Sequence, residues 1–127
     1  TDRTHQTRRC FDAMTSPTRL VGSSPGIVGA VLVTTDGLPM AAVLPQGSDE
    51  DRVSAMAAAA LSMGLRMVGE LERGSLEQVY VKGDGGYVVM MQAGRETVLE
   101  VISSNESRLG LVLYEMKTAA RDLAALA

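Results

Sequence analysis

Three short runs of period-two alternation, joined by tight turns, dominate the second half of the chain. The runs cover residues 76–81, 87–92 and 97–103, and each of the two turns between them contains glycine. Strands joined by such short turns must run antiparallel, because a parallel crossover needs a dozen or more residues. The pattern therefore predicts an antiparallel unit of three consecutive strands.

A second strand pair is predicted upstream. Residues 27–34 are apolar and rich in β-branched side chains, and Asp36-Gly37 follows them as a hairpin signal that tolerates positive φ. Residues 38–44 return as the partner strand. Pro39 within that strand cannot donate a ladder hydrogen bond, which favours an edge position.

Two long helices are predicted around these strands. The central one should run from about residue 49 to 71 or 72, with a capping box at Ser48 and Gly74 as its left-handed stop. Its main apolar stripe is expected to contain Val53, Met56, Ala57, Ala60, Gly64, Met67, Val68 and Leu71. The last helix covers residues 109–123, with an apolar face of Leu109, Val112, Leu113, Met116, Ala120 and Leu123. The central helix carries more apolar and small surface than one sheet face can cover.

The first 24 residues are predicted to be a helical segment that precedes a domain of residues 25–127. Residues 7–14 are expected to form one helix, and Ser16-Pro17 resembles an N-cap that starts a second short helix. The full order is then α-β-β-α-β-β-β-α. This order predicts an α/β fold of the α+β layered type, in which helices pack on one five-stranded, mainly antiparallel sheet.

Composition narrows the classes of function. The net charge of −3 gives no reason to expect nucleic-acid binding, and the small cluster of Arg3, Arg8 and Arg9 is interpreted as a solvated segment. No apolar run is long enough to insert into a membrane, and the single cysteine, Cys10, fits a reducing compartment, so a cytoplasmic location is expected. Eight methionines are many for this length. They are consistent with gap filling in the core or with an adaptable binding surface.

Motifs for chemistry are weak. The glycines of Gly83-Asp84-Gly85-Gly86 precede a strand, so a hairpin turn is favoured over a phosphate loop. The carboxylates at residues 49–51 are adjacent on a helix, which favours capping over metal binding. Nothing orients His5 toward Cys10, and Glu100 is expected to be partly exposed on the sheet. The sequence therefore predicts a protein that is not an enzyme and that has no metal site and no cofactor.

The chain resembles the roadblock/dynein light chain domain from about residue 25 to 123. The resemblance rests on Pro25-Gly26 before the first strand, the Asp36-Gly37 hairpin, the Ala- and Met-rich central helix, the Leu76-Glu-Gln-Val-Tyr-Val strand and the Leu109-Gly-Leu-Val-Leu-Tyr-Glu-Met tail. The family usually has a continuous first helix, whereas Ser16-Pro17 interrupts it here. The resemblance implies a profilin-like layered architecture.

The same resemblance implies a homodimer in which the strand after the central helix pairs with its copy and the two central helices pack together. The predicted interface residues are Ala55, Ala59, Ser62, Leu76, Gln78 and Tyr80. Bacterial and archaeal members commonly act on small Ras-like GTPases as activators or scaffolds, without inserting a catalytic residue. The predicted partner-binding residues are Arg52, Arg66 and Arg73. Three alternatives stay open: a module that senses a small ligand, a structural adaptor without a GTPase partner, and an unrecognised hydrolase.

Overall fold

The computed structural model describes residues 16–125, which form three helices and five strands in the predicted order. Helix α1 covers residues 16–23. The remaining elements are β1 (Ile27–Thr34), β2 (Pro39–Val43), α2 (Glu50–Glu70), β3 (Val79–Gly83), β4 (Gly86–Gln92), β5 (Thr97–Ser104) and α3 (Leu109–Ala125). The predicted helix of residues 7–14, with Cys10, and also His5 lie outside the described residues.

The five strands form one antiparallel sheet in the order β2-β1-β5-β4-β3. β1 pairs with β5, and this pairing joins the two predicted strand units into one sheet. Ala30 of β1 lies opposite Val101 of β5. β2 and β3 are the edge strands. Pro39 opens β2, so its missing N–H falls on an edge strand, as predicted.

Helices cover both faces of the sheet. α1 and α3 pack on one face, where Leu32 and Leu99 of the sheet contact a buried α3 stripe centred on Met116. The residues predicted to form the apolar face of α3 are all buried or partly buried in this core. Leu20 of α1 belongs to the same core, so the described part of the predicted N-terminal segment packs onto the domain. Of the three described helices, only α2 packs on the opposite face.

The two ends of α2 differ from the predicted caps. Asp49 is the N-cap in place of Ser48, and its side chain accepts a hydrogen bond from the Arg52 backbone N–H at 3.2 Å. At the other end the Arg73 N–H donates to the Val68 carbonyl at 2.8 Å, and the Glu72 N–H donates to the Gly69 carbonyl at 3.3 Å. This is a Schellman motif, and it places Glu72 at φ +54°. The left-handed stop is therefore Glu72, two residues before Gly74.

Strand β3 begins at Val79, three residues later than predicted. Its pairing with β4 runs from Gly83–Gly86 to Val79–Met90. The preceding residues belong to the α2 interface, because Leu76 packs against the core beneath α2. A Cβ atom at Gly64 would lie 2.8 Å from Val79 Cγ2, so α2 approaches the start of β3 more closely than a side chain there would allow.

Candidate interaction surface

One flank of α2, between its sheet-facing side and its outward side, carries a row of exposed methionines. Met56, Met63 and Met67 are spaced by seven and four residues, so they share one flank of the helix. Their exposed fractions are 58%, 55% and 54%. We call these three residues the methionine flank. Met56 and Met67 were predicted to lie in the core stripe, and that prediction is wrong.

The side of α2 that does face the sheet is built from smaller residues. Ala57, Leu61 and Ser54 are buried there, and Val53 and Ala60 pack against the same core. Leu61 and Ser54 were absent from the predicted stripe. Small residues let the helix lie close to the strands, and the bulkier methionines consequently turn toward solvent.

The methionine flank faces the half of the sheet that α2 leaves open. Gly37, in the β1–β2 turn, lies against Ala55 and Ala58 on the opposite flank of the helix, which places that turn at the far side of α2. On the open half, Val28 and Val81 are exposed, and they line a hollow of about 390 Å³ with the half-buried Val88 and Ile102. The flank and the open part of the sheet thus both expose apolar side chains on the α2 side of the molecule.

Strand β3 borders the open part of the sheet and is an edge strand. Val81 points to the α2 side of the sheet and is 53% exposed. Tyr80 points to the other side, where its ring lies 5.6 Å from the ring of Tyr87 at an interplanar angle of 46°. An apolar edge strand whose outer backbone groups are unpaired is a template for pairing with another chain.

The predicted dimer residues fall into two groups. Ala55, Ala59 and Ser62 are exposed on α2. Ala59 lies nearer to the methionine flank, while Ser62 is about 100° around the helix from Met63 because α-helical residues advance by that angle. Leu76 and Gln78 are half-buried in the segment before β3, and only Tyr80 lies within the strand.

The predicted partner-binding arginines are exposed, but they do not form one cluster. Arg52 and Arg66 lie on the outward side of α2, separated by about 21 Å at 1.5 Å per residue. Arg66 forms an exposed ion pair with Glu70 at 3.8 Å. Arg73 follows the helix, and its Nε donates to the Leu71 carbonyl at 3.2 Å.

One buried carboxyl group was missed by the sequence analysis. Glu100, predicted to be partly exposed, is only 5% exposed, because α2 covers its face of the sheet. Burial raises the pKa of Glu100 to about 7. Its partners across the strands are Val31 and Met90, so among the described residues it is paired with no nucleophile, base or metal ligand in the sheet.

Within residues 16–125, the structure gives little support for a metal site, a ligand pocket or a membrane-spanning helix. No group of three or more His, Cys, Asp or Glu side chains comes together there as possible metal ligands. A second hollow, of about 400 Å³, opens between α1 and α3 beside Leu20 and Leu123. The ligand-sensing alternative requires a pocket between sheet and helix, whereas the interface beneath α2 is filled by apolar side chains together with the buried Ser54 and Glu100. None of the helices in the described part is long and apolar enough to cross a membrane.

Comparisons with known sequences and structures agree on one domain family. Residues 17–103 match the model of the Roadblock/LC7 domain. The uncharacterized protein MJ1340 of Methanocaldococcus jannaschii is 37% identical over 106 residues, which are 84% of this chain and 92% of that protein. The crystal structure of a Roadblock/LC7 domain from Streptomyces avermitilis superposes with a TM-score of 0.82 at 25% identity, over 88% of this chain and 94% of that one. MglB of Myxococcus xanthus has the same fold, with a TM-score of 0.82 at 19% identity over 93% and 92% of the two chains.

Proposed function

Because this chain belongs to the Roadblock/LC7 family, we propose that it acts as a homodimer that binds a small Ras-like GTPase and regulates or scaffolds its nucleotide cycle. The chain contributes no catalytic residue in this proposal and positions the loops of the GTPase instead. The observation that carries the proposal is the apolar surface formed by the methionine flank and the open half of the sheet.

A second copy of the chain is the occupant that best fits this surface. Large exposed apolar patches mark interaction sites, and methionine packs adaptably at them. Two β3 edges that pair antiparallel would satisfy each other's backbone groups and would place the two α2 helices side by side. A two-fold axis makes such an interface self-complementary, so Met63 of one protomer lies near the partner's α2.

The GTPase is assigned to the outward side of the paired α2 helices. Arg52 and Arg66 remain exposed there. An arginine side chain can bind carboxylates and carbonyl groups through its planar fork, which makes it frequent at interfaces. The exposed Arg66–Glu70 ion pair costs little to exchange for a partner contact, since surface ion pairs contribute only about 0–1 kcal/mol. Arg73 extends the same side beyond the end of the helix.

Isothermal titration calorimetry against the purified small Ras-like GTPases of the same organism tests the proposal. We expect saturable binding, and we expect Arg52→Ala with Arg66→Ala to weaken it by about 2–4 kcal/mol, as two interface hot spots would. The matched control is Arg95→Ala with Arg121→Ala, which removes two exposed arginines from a turn and from α3. Absence of binding contradicts the function. If both double variants bind the GTPase with equal affinity, the partner site does not lie at Arg52 and Arg66 of α2.

The titration is run with the GTPase bound to GDP and to a non-hydrolysable GTP analogue. A ligand can shift an equilibrium between two states only by its difference in affinity for them. Unequal affinities therefore support a regulator, and equal affinities support a scaffold.

A further inference from the structure

Glu100 lies at the centre of the interface between α2 and the sheet. It is in the middle of β5, on the face that α2 covers, between Val31 of β1 and Met90 of β4. Its Oε1 atom is buried and has no hydrogen-bond partner among the described residues. The same is true of the Ser54 hydroxyl, which is buried on the sheet-facing side of α2. Two unsatisfied polar side chains thus share one helix–sheet interface.

Within residues 16–125, no charged group compensates a carboxylate at this place. The described side chains on Glu100's side of the sheet are uncharged: Val53, Ser54, Ala57, Ala60 and Leu61 of α2, Val31 and Val33 of β1, Ala42 of β2, Val79 of β3, and Val88, Met90 and Gln92 of β4. The charged residues of the first α2 turns, Glu50, Asp51 and Arg52, are exposed. An ionised carboxylate that is buried without a partner is costly, whereas a neutral carboxyl is far less so.

We propose that Glu100 makes the packing of α2 on the sheet sensitive to protonation: α2 packs tightly while Glu100 is neutral, and ionisation of Glu100 loosens it. Water must reach an ionised Glu100 to solvate it, and the interface opens where α2 covers the strand. The inference concerns a single protomer and does not depend on the proposed function. Because α2 also carries the methionine flank, loosening of the helix would reach that surface.

The direction of the pH dependence follows from the raised pKa. Below pH 4.5, the ordinary pKa of this carboxyl group, Glu100 is neutral in both the folded and the unfolded state, so the folded state bears no penalty. Between 4.5 and about 7 the folded protein holds a proton that the unfolded chain has lost, so stability falls as pH rises. Above about 7 the group is ionised in both states and the loss is complete.

The test combines urea unfolding and amide hydrogen exchange from pH 5 to pH 8 at fixed protein concentration. For the unmodified chain we expect the unfolding equilibrium constant to rise by up to about tenfold per pH unit within the window. We also expect protection factors in α2 to fall by more than those in α3. Glu100→Gln, which keeps the shape of the side chain, and Glu100→Met, which removes its hydrogen-bonding groups, should both flatten these profiles. Glu96→Gln, an exposed carboxylate in the β4–β5 turn, is the matched control and should keep the profile of the unmodified chain.

Carbon-13 NMR of the Glu100 carboxyl supplies a readout that does not depend on any variant folding. Titration near pH 7 supports the proposal, and titration near 4.5 overturns it. A pH profile that is the same in Glu100→Gln and the unmodified chain overturns it as well. Equal loss of protection in α2 and α3 refutes the assignment to α2.

Discussion

A charge placed in the methionine flank should weaken the proposed homodimer. In Met63→Glu the apolar side chain at the middle of the flank is replaced by a carboxylate. Met63 keeps 55% of its surface exposed within the protomer, so a dimer interface can bury roughly half of the side chain. Full burial of a methionine contributes about 1.5–3 kcal/mol, which gives about 0.8–1.5 kcal/mol for this remaining half.

Two-fold symmetry multiplies that effect. Each dimer loses the contribution of both copies, or about 2–3 kcal/mol, and the two new carboxylates must also be desolvated. At 1.4 kcal/mol per factor of ten, the dimer dissociation constant should rise by roughly 30- to 100-fold or more. The fold of the protomer should not change, because the side chain points to solvent.

Sedimentation velocity over a dilution series measures this constant. Leu111→Glu is the matched control, since Leu111 is 45% exposed on α3, across the sheet from α2. We expect this control to dimerise as the unmodified chain does. The reasoning is refuted if Met63→Glu shifts the constant by less than about fivefold, or if Leu111→Glu shifts it equally.

Two further predictions concern the ends and contacts of α2, and urea denaturation measures both. Glu72→Gly should stabilise the protein by about 0.5–1 kcal/mol, because Glu72 adopts a φ of +54° that glycine accepts at lower cost; an unchanged or lower stability would contradict the Schellman assignment. Gly64→Ala should destabilise it by about 1 kcal/mol although alanine favours helices, because the new Cβ meets Val79 at 2.8 Å. Gly110→Ala in α3, where a Cβ meets nothing within 4 Å, should be neutral or stabilising, and an equal gain at Gly64 would show that α2 lies farther from β3.

The order of the elements was predictable because each rests on a local pattern. Period-two runs, short glycine turns and the repeat of the α3 stripe all act within a few residues, and the structure confirms them. The Asp36-Gly37 hairpin follows the same logic, with Gly37 at φ +92°. The pairing of β1 with β5 joins segments distant in sequence, and no local pattern determines it.

The composition of the α2 faces was harder to predict. The helix is apolar or small around most of its girth, so periodicity alone does not say which side meets the sheet. Close approach decides the matter: Ala57 and Gly64 fit against the strands, and the methionines therefore face outward. The high methionine content was the available signal for an exposed methionine flank. Glu100 was misjudged for the same reason, since only the position of α2 makes that face of the sheet buried.

The central claim is that two copies of this chain, joined through α2 and β3, form the unit that binds a small GTPase. Multi-angle light scattering tests it on mixtures with a small Ras-like GTPase of the same organism, bound to a non-hydrolysable GTP analogue. The account predicts a complex that contains two copies of the 13.4 kDa chain, and its loss for Met63→Glu at concentrations where that variant is monomeric. A monomeric Met63→Glu variant that binds the GTPase with undiminished affinity, or an unmodified chain that forms no complex, would contradict the account.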